Sequence, residues 1–315
     1  MKTHLSNSFS RIAIVVLISL VWLSVAVAGE PQTVRLLTIG NSFSRNATHY
    51  LPDLAKAGGH SLIHCSIVVG GASLQLHAEK FQKFELDATD KAGCYTNGRS
   101  LKQELTADRW DFVTIQQASI KSHDIETYRP FAGQLRDYIK RHAPQAKLLV
   151  HQTWAYRCDD PRFTKPHGKP GEPPTREAMY RMLTNAYRTI AAELGARLIP
   201  VGDAFHLADS DPKWGYKPDT RFDFKNARPP ALPNQIRSLH VGWQWKKDKN
   251  GKPTLSMDGH HANTAGEYLG ACVWYEALFG ESVLANRFVP KGLDPAYARF
   301  LRETAHRAVS MLTSQ

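Results

Sequence analysis

A serine stands where an apolar segment gives way to a helical one. The run of residues 34–39 ends at Gly40, Ser42 follows two positions later, and residues 47–57 have a helical pattern. A hydroxyl held at the carboxyl end of a strand can attack a carbonyl carbon, and free backbone N–H groups nearby can stabilise the oxyanion that forms. The alternative interpretation is that Ser42 or Ser44 only caps the helix.

A second stretch offers the other groups that a serine nucleophile needs. Asp258, His260 and His261 stand just before a helical pattern. In a catalytic triad an imidazole takes the proton of the serine, and a carboxylate fixes the tautomer and orientation of the ring. Asp258 and His261 are three residues apart, and on a turn that leads into a helix this spacing brings carboxylate and ring together. Taken alone, Asp258 could be a helix cap and the histidines surface residues; together with Ser42 they predict a Ser-His-Asp triad.

Short apolar segments rich in β-branched residues recur along the chain, and helical patterns separate them. Continuous rather than alternating apolar runs are typical of strands that are covered on both faces of a parallel sheet. The predicted strands are residues 34–39, 61–69, 112–115, 147–151 and 197–201, and the predicted helices are residues 47–57, 101–107, 125–142, 174–194, 262–279 and 297–312. This alternation predicts an open, doubly wound α/β sheet, whose ligands bind at the carboxyl ends of the strands.

Two sequence blocks carry a family resemblance. Gly40-Asn41-Ser42 and Asp258-Gly259-His260-His261 resemble the first and last blocks of the SGNH (GDSL-type) hydrolases, in particular a bacterial branch that reads GNSF(S/T) and DGxH. The resemblance extends from Val34 to Gly280. It implies a flavodoxin-like three-layer α/β/α sandwich with a five-stranded parallel sheet, and a serine esterase mechanism that needs no cofactor. It assigns Ser42 as the nucleophile, His261 as the base and Asp258 as the acid of the triad.

The same resemblance implies donors for an oxyanion hole. They are the backbone N–H of Ser42, the N–H of Gly71 with Gly70 as its alternative, and the side-chain amide of Gln117. The chain departs from the family pattern in two places, because Asn41 replaces the usual aspartate beside the nucleophile and no Gly-x-Asn-Asp block follows the third strand. Gln117 is assigned in place of the missing asparagine, since a glutamine amide can donate the same hydrogen bond.

The expected reaction is hydrolysis of an acyl ester, in particular an acetyl ester on a carbohydrate. Two long loops at about residues 155–175 and 209–253 contain or adjoin tryptophans, whose faces suit sugar rings. The predicted substrate-binding residues are Asn41, His151, Trp154, Trp243 and Trp245. An acyltransferase on the same site and a non-catalytic carbohydrate-binding protein are the alternatives. In a non-catalytic carbohydrate-binding protein, Ser42 would lie far from His261 in space.

The charge of the chain bears on its partners. The formal net charge of +11 at pH 7 favours anionic partners, and cations in the two long loops predict attraction of an acidic glycan. The sequence contains no zinc-finger, RRM or basic-zipper pattern, so nucleic acid is not expected as a partner. Its histidines form no HExxH-type pair, and no metal site is predicted.

The first 28 residues have the pattern of a secretory signal peptide. Lys2 and Arg11 precede or flank a long apolar segment, and the small residues that end at Ala28 fit a cleavage site. A retained membrane anchor is the alternative. The prediction is a single domain over residues 29–315, exported to the periplasm or the extracellular space and without a later membrane span.

Export would permit disulfides among the cysteines. Three pairings are possible for the four cysteines, and the sequence does not choose among them. Apolar surroundings favour a buried free thiol at Cys272. The four are Cys65, Cys94, Cys158 and Cys272.

Overall fold

The computed structural model describes residues 30–165 and 171–313. The predicted signal peptide, residues 1–28, lies outside the described residues, and so does the middle of the first long loop, residues 166–170. None of the helices described is both long and apolar enough to cross a membrane.

Parallel strands form the central sheet at the positions that the apolar segments predict. They are β1 (Thr33–Gly40), β2 (Ser61–Val68), β3 (Phe112–Ile115), β4 (Lys147–His151) and β5 (Arg197–Ile199). Their order is β2-β1-β3-β4-β5, and every neighbouring pair is parallel. The predicted five-stranded parallel α/β fold is therefore confirmed. The chain reverses its direction across the sheet between β1 and β3, and such a switch point is where open α/β sheets bind ligands.

Nine α-helices are described, and they pack around the sheet. They are α1 (Ser42–Ala47), α2 (Leu51–Ala57), α3 (Leu74–Leu86), α4 (Leu101–Leu105), α5 (Phe131–His142), α6 (Arg176–Leu194), α7 (Val201–Asp209), α8 (Thr264–Phe279) and α9 (Pro295–Thr313). The helix predicted at residues 125–142 begins only at Phe131, since Pro130 restricts the residue before it. The unpredicted α3 begins after Ser73, whose hydroxyl accepts from the Leu76 N–H.

Helix α8 is buried on all sides. Apolar residues continue around its whole circumference, and a helix of that kind belongs in a protein interior. It packs closely on α1, because a Cβ atom at Gly270 would lie 3.0 Å from the Cα of Ala47. This close approach fixes α1, the helix that begins at Ser42, against the core.

A β-hairpin occupies the end of the second long loop. Residues 209–253 were predicted to lack regular structure, but β6 (His240–Lys247) pairs antiparallel with β7 (Pro253–Ala262). Asp258 and His261 consequently lie on β7 and not on a turn, which corrects the local structure predicted for them. Strand β7 places the side chains of Asp258 and His261 at the carboxyl end of the parallel sheet, just before α8 begins.

The four cysteines are free thiols. Cys272 is buried in α8, as its apolar surroundings indicate, and burial raises the pKa of its thiol. The Cys65 thiol lies 3.7 Å from a carboxylate oxygen of Glu104.

A buried carboxyl at the end of α7 predicts a pH-dependent stability. The Asp209 side chain is 5% exposed and lies 3.5 Å from Arg176; burial raises its pKa to about 6, against the opposing charges of Arg176 and Arg157. A carboxyl with a raised folded-state pKa binds its proton more tightly when folded, so its contribution to stability falls as pH rises from about 4 to about 6. We expect the melting temperature of the wild type, relative to that of Asp209→Asn, to rise when the pH is lowered from 7 to 5. A difference that stays constant across this range would contradict the raised pKa.

Candidate active site

Ser42 is presented by a sharp transition from strand to helix. β1 ends at Gly40, where a Cβ atom would come within 2.7 Å of Ser44 Oγ, so only glycine fits without a shift. Asn41 caps α1 in an extended conformation, and its Oδ1 accepts the Phe43 N–H at 2.9 Å. The Ser44 hydroxyl is buried and donates to the Asn41 carbonyl at 2.9 Å. The capping function therefore belongs to Asn41, which leaves the Ser42 hydroxyl available for other contacts.

The structure brings Ser42, His261 and Asp258 together from the two ends of the chain. His261 Nε2 lies 2.9 Å from Ser42 Oγ. On the other side of the ring, His261 Nδ1 lies 3.0 Å from Asp258 Oδ2. Asp258 Oδ1 also accepts the backbone N–H of His261 at 3.1 Å. This arrangement allows the ring to donate from Nδ1 to the carboxylate and to accept the serine proton at Nε2.

The Asp258 carboxylate is held ionised by its neighbours. Burial opposes ionisation, but hydrogen bonds from the ring and backbone of His261, together with the nearby imidazoles, outweigh it and hold the pKa of Asp258 well below its usual value. The carboxylate therefore stays negative at any pH near neutrality. A permanent negative charge at this position favours the imidazolium that forms when His261 takes a proton.

Backbone N–H groups at Ser42 and in the turn after β2 make no hydrogen bond to the described residues. Val69 N–H donates to the Gly40 carbonyl at 3.1 Å, and the turn closes with Ala72 N–H donating to the Val69 carbonyl at 3.1 Å. Gly71 has φ +67°, a left-handed conformation that glycine adopts without strain. The N–H groups of Ser42 and Gly71 make no hydrogen bond to any described residue, so both remain available to a developing oxyanion. The Gly70 N–H is free in the same sense.

The contacts of Gln117 do not fit the oxyanion-hole role predicted for it. Its side chain is fully buried, and its amide nitrogen donates to the carbonyl and the hydroxyl of Thr127 at 2.8 and 3.2 Å. Its Oε1 accepts the N–H of Leu74 at 3.2 Å. Both amide hydrogens are occupied, so Gln117 cannot donate to an oxyanion at Ser42. Gln117 instead anchors the start of α3.

Three predicted substrate-binding residues are buried and cannot contact a substrate. Asn41 and His151 lie in a hydrogen-bonded network below the surface, with 1% and 0% exposure. Trp154, also 0% exposed, packs between Phe43 and Phe205, with ring centroids 4.5 and 4.4 Å away. Because Phe43 is next to Ser42, the Trp154 ring supports the segment that contains Ser42 and does not face a substrate.

The other two tryptophans face away from the triad. Gly242 pairs with Asp258, whereas Trp243 pairs with Met257 and Trp245 with Leu255. Directly paired residues share a face and successive residues alternate, so both indoles lie on the face opposite to Asp258. They pack on the preceding loop, where the Trp245 indole donates to the Ala231 carbonyl at 2.9 Å and the Trp243 ring lies 4.9 Å from Phe224.

Arg157 and the lysines of the hairpin form no basic surface beside Ser42. Arg157 is buried, and its guanidinium binds Asp159 at 2.6 and 3.0 Å. The lysines of the hairpin lie toward its tip, where Lys247 pairs with Pro253. A rise of about 3.3 Å per residue places that tip roughly 16 Å along the strand from Asp258.

One cation of the first long loop, Arg162, lies next to the candidate triad. Arg162 forms two hydrogen bonds to Asp160, at 2.8 and 2.7 Å, and its guanidinium stacks on Tyr156 at 3.7 Å. Its Nη2 lies 3.1 Å from His260 Nδ1. The same Nδ1 also lies 3.0 Å from Asp258 Oδ1, so it stands between a guanidinium and a carboxylate. Burial lowers the pKa of His260 to about 4, with a further contribution from the His261 charge.

The same side chains offer a possible set of metal ligands. Asp258, His260 and His261 have ligand atoms within 4.8 Å of one another. These atoms already form the contacts of the triad, and the Arg162 guanidinium brings a positive charge to His260 Nδ1. That charge disfavours a cation at this position.

Comparison with known proteins places the chain in a family. The model described as "Domain of unknown function (DUF4886)" matches residues 35–209, and the chain belongs to this family. A comparison with curated proteins finds no significant match.

Solved structures extend the comparison to the fold. A DUF4886 family protein from Bacteroides uniformis is 26% identical with a TM-score of 0.65, over 88% of this chain and 95% of its own. A protein described as a candidate SGNH hydrolase from Slackia heliotrinireducens is 22% identical with a TM-score of 0.48, over 78% and 98% of the two chains. Phospholipase A1 from Streptomyces albidoflavus is 13% identical with a TM-score of 0.39, over 78% and 98%. The Bacteroides protein shares the fold over most of both chains.

Proposed function

We propose that this protein is an exported serine esterase that hydrolyses short acyl esters, in particular acetyl esters on a carbohydrate. The observation that carries the proposal is the line of contacts from Asp258 through the His261 ring to Ser42 Oγ, at 3.0 and 2.9 Å. Buried and surface histidines are common, but a ring held between a carboxylate and a serine hydroxyl, with unused backbone N–H groups beside that serine, fits acyl transfer. The resemblance of the first and last sequence blocks to SGNH hydrolases supports the same reaction.

The chemistry follows from the positions of these groups. Ser42 Oγ attacks the ester carbonyl carbon while its proton passes to His261 Nε2, and the carbonyl oxygen becomes an oxyanion that accepts from the Ser42 and Gly71 N–H groups. His261 then gives its proton to the departing alcohol as the carbon–oxygen bond breaks. Water, deprotonated by the same ring, attacks the acyl-serine, and the ring returns the proton to Ser42 Oγ as the carboxylic acid leaves. Asp258 stabilises the imidazolium in both halves of the reaction.

A catalytic role accounts for the site better than a purely binding role. A non-catalytic protein would have Ser42 and His261 apart, whereas their side chains are in hydrogen-bond contact at 2.9 Å. An acyltransferase would use the same triad with a sugar hydroxyl in place of water, so it differs in the acceptor and not in the residues described. Product analysis with a sugar acceptor present distinguishes hydrolysis, which gives free acid, from transfer.

The open surroundings of the triad fit an ester with a large alcohol portion. Gly70 and Gly71 are exposed, Ser42 is half-buried, and about a third of the His261 side chain is accessible at 33%. An open site of this kind admits a polymer chain across its surface. The pattern of the first 28 residues supports export, where such polymers occur. An anionic polymer would meet the lysines toward the hairpin tip before it reached Ser42.

Labelling with a serine-directed fluorophosphonate tests the proposal. We expect one covalent adduct, mapped by mass spectrometry to Ser42, and slower labelling in His261→Ala because the base is missing. Ser42→Ala should not be labelled at all. An adduct at Ser44 would contradict the assignment of the nucleophile. Absence of any adduct, together with intact ester hydrolysis, would contradict the serine mechanism.

A further inference from the structure

Three buried side chains connect the two sides of the candidate oxyanion hole. We propose that the buried amide network, defined as Asn41, Gln116 and His151, positions the Ser42 and Gly71 N–H groups relative to each other. This inference rests on the proposed esterase function and adds positioning residues to it. All three side chains are at least 99% buried, with 1%, 1% and 0% exposure, so none of them touches the substrate.

Asn41 holds both sides of the oxyanion hole at once. Its Oδ1 accepts the N–H of Phe43, the residue after Ser42, at 2.9 Å. Its Nδ2 donates to the carbonyl of Ala72, the residue after Gly71, at 2.9 Å. Each anchor is therefore one residue beyond a candidate oxyanion donor. A single rigid amide group sets how far apart the two donors lie.

The two backbone partners determine the orientation of the whole network. Phe43 N–H can only donate and the Ala72 carbonyl can only accept, so the oxygen and nitrogen of Asn41 are assigned without ambiguity. Gln116 Nε2 lies 2.7 Å from Asn41 Oδ1 and must be the donor. Its Oε1 therefore faces His151 Nδ1, 2.9 Å away, and has to accept from that ring.

His151 completes the network as a neutral ring protonated on Nδ1. Its Nε2 is buried and has no partner among the described residues. Burial lowers the pKa of His151 to about 3, so the ring stays neutral at any pH at which the enzyme would be assayed. A neutral ring with a fixed tautomer keeps Gln116 in the one orientation that lets it donate to Asn41.

This network also accounts for the two departures from the SGNH pattern. An aspartate at position 41 would still accept from Phe43 and Gln116, but it could not donate to the Ala72 carbonyl. The asparagine is therefore the residue type that can join both sides. Gln116, at the position after β3, is used to hold Asn41 and not to contact the oxyanion.

The test compares Gln116→Met with Gln152→Met. Gln152 is an equally buried glutamine that follows β4, but its amide bonds Thr184 and Asp203 and makes no hydrogen bond to the network. For Gln116→Met we expect kcat on a small acetyl ester to fall about 10- to 100-fold, because a misplaced donor loses part of the oxyanion stabilisation, while KM stays within about twofold. For Gln152→Met we expect a similar fall in melting temperature and an unchanged kcat.

Asn41→Asp breaks the contact to Ala72. It preserves the size of the side chain and the cap on Phe43, but it replaces the donor to the glycine turn by a carboxylate oxygen and adds a buried negative charge. We expect a fall in kcat at least as large as for Gln116→Met, because the added charge also opposes the oxyanion. If Gln116→Met and Gln152→Met lose kcat equally for equal losses in melting temperature, the network is only structural and the proposal is overturned.

A measurement that does not depend on catalysis tests this inference separately from the proposed esterase function. Hydrogen exchange, followed by mass spectrometry on a peptide that covers residues 69–74, should be faster in Gln116→Met than in the wild type and unchanged in Gln152→Met. Unchanged exchange in both variants would overturn the proposed positioning. If Ser42→Ala retains full activity, the esterase mechanism fails, whereas faster exchange in Gln116→Met would still support the tie between the two backbone segments.

Discussion

Replacing Ser42 by alanine is expected to lower kcat for a small aryl acetate by about six orders of magnitude, while the melting temperature changes by no more than a few degrees. The serine hydroxyl supplies the bond-forming oxygen, so its loss leaves only binding and the oxyanion donors. The hydroxyl is half-buried and its hydrogen-bond partner is the His261 ring, so the fold loses little without it. Initial rates at saturating ester and a thermal melt measure the two quantities on the same sample.

Ser44→Ala is the matched control, because it removes the same group two residues further along the chain. The Ser44 hydroxyl is buried and donates to the Asn41 carbonyl, so its loss should cost about 1 kcal/mol of unfolding free energy. Its effect on kcat should stay below about tenfold, the size of a small positioning change. The two variants thus predict opposite outcomes, with lost activity for one and lost stability for the other. If Ser44→Ala abolishes activity and Ser42→Ala retains it, Ser44 is the nucleophile and Ser42 is not.

The strands and the triad could be predicted because their signals are local. Each strand of the parallel sheet is a continuous apolar run, since both faces are covered, and such a run can be read from the sequence without knowledge of its neighbours. Ser42 and the pair Asp258 and His261 stand in short blocks with characteristic residue types. The contact between them required the fold, because Ser42 and His261 are 219 positions apart.

The direction of a side chain beyond the end of a strand could not be predicted in the same way. Gln116 and Gln117 are adjacent and chemically identical, and a shift of one residue moves a side chain to the other face. Only the surrounding structure shows that Gln116 reaches Asn41, whereas Gln117 turns to Thr127. The residue type indicated an amide near the site, but the sequence contained nothing to decide which of the two it is.

The hairpin sequence contains an alternating pattern from which its two antiparallel strands could have been predicted. Trp243 and Trp245 alternate with smaller or polar residues, as Leu255 and Met257 do in the other strand, and alternation is typical of antiparallel strands. That pattern would have put the tryptophans on the face opposite to Asp258. Their packing on the loop that contains Phe224 could not be read, since that loop has no periodicity of its own.

The second large effect is expected from His261. Removing its side chain by His261→Ala should lower kcat by about as much as Ser42→Ala, since the base and the nucleophile act as one unit. For the same reason the double variant Ser42→Ala/His261→Ala should lose no more than either single variant. Initial rates for the three proteins with the same aryl acetate measure this. Losses that multiply in the double variant would show that the two residues act independently and would contradict the triad.

His260→Ala is the control that the chain itself provides, because the two rings are neighbours with centroids 4.0 Å apart. His260 contacts Arg162 and Asp258 but makes no hydrogen bond to Ser42, so its removal should lower kcat by at most about 100-fold, the size of a positioning effect. Added imidazole sharpens the comparison. The His261 side chain is accessible at 33%, so a free imidazole can enter the space that His261→Ala leaves and serve as the base. Imidazole should restore part of the activity of His261→Ala in proportion to its concentration, and should restore none to Ser42→Ala or to His260→Ala. Rescue of His260→Ala in place of His261→Ala would contradict the assignment of His261 as the base. In that case the proton of Ser42 would have to pass to the His260 ring, which lies beside Arg162.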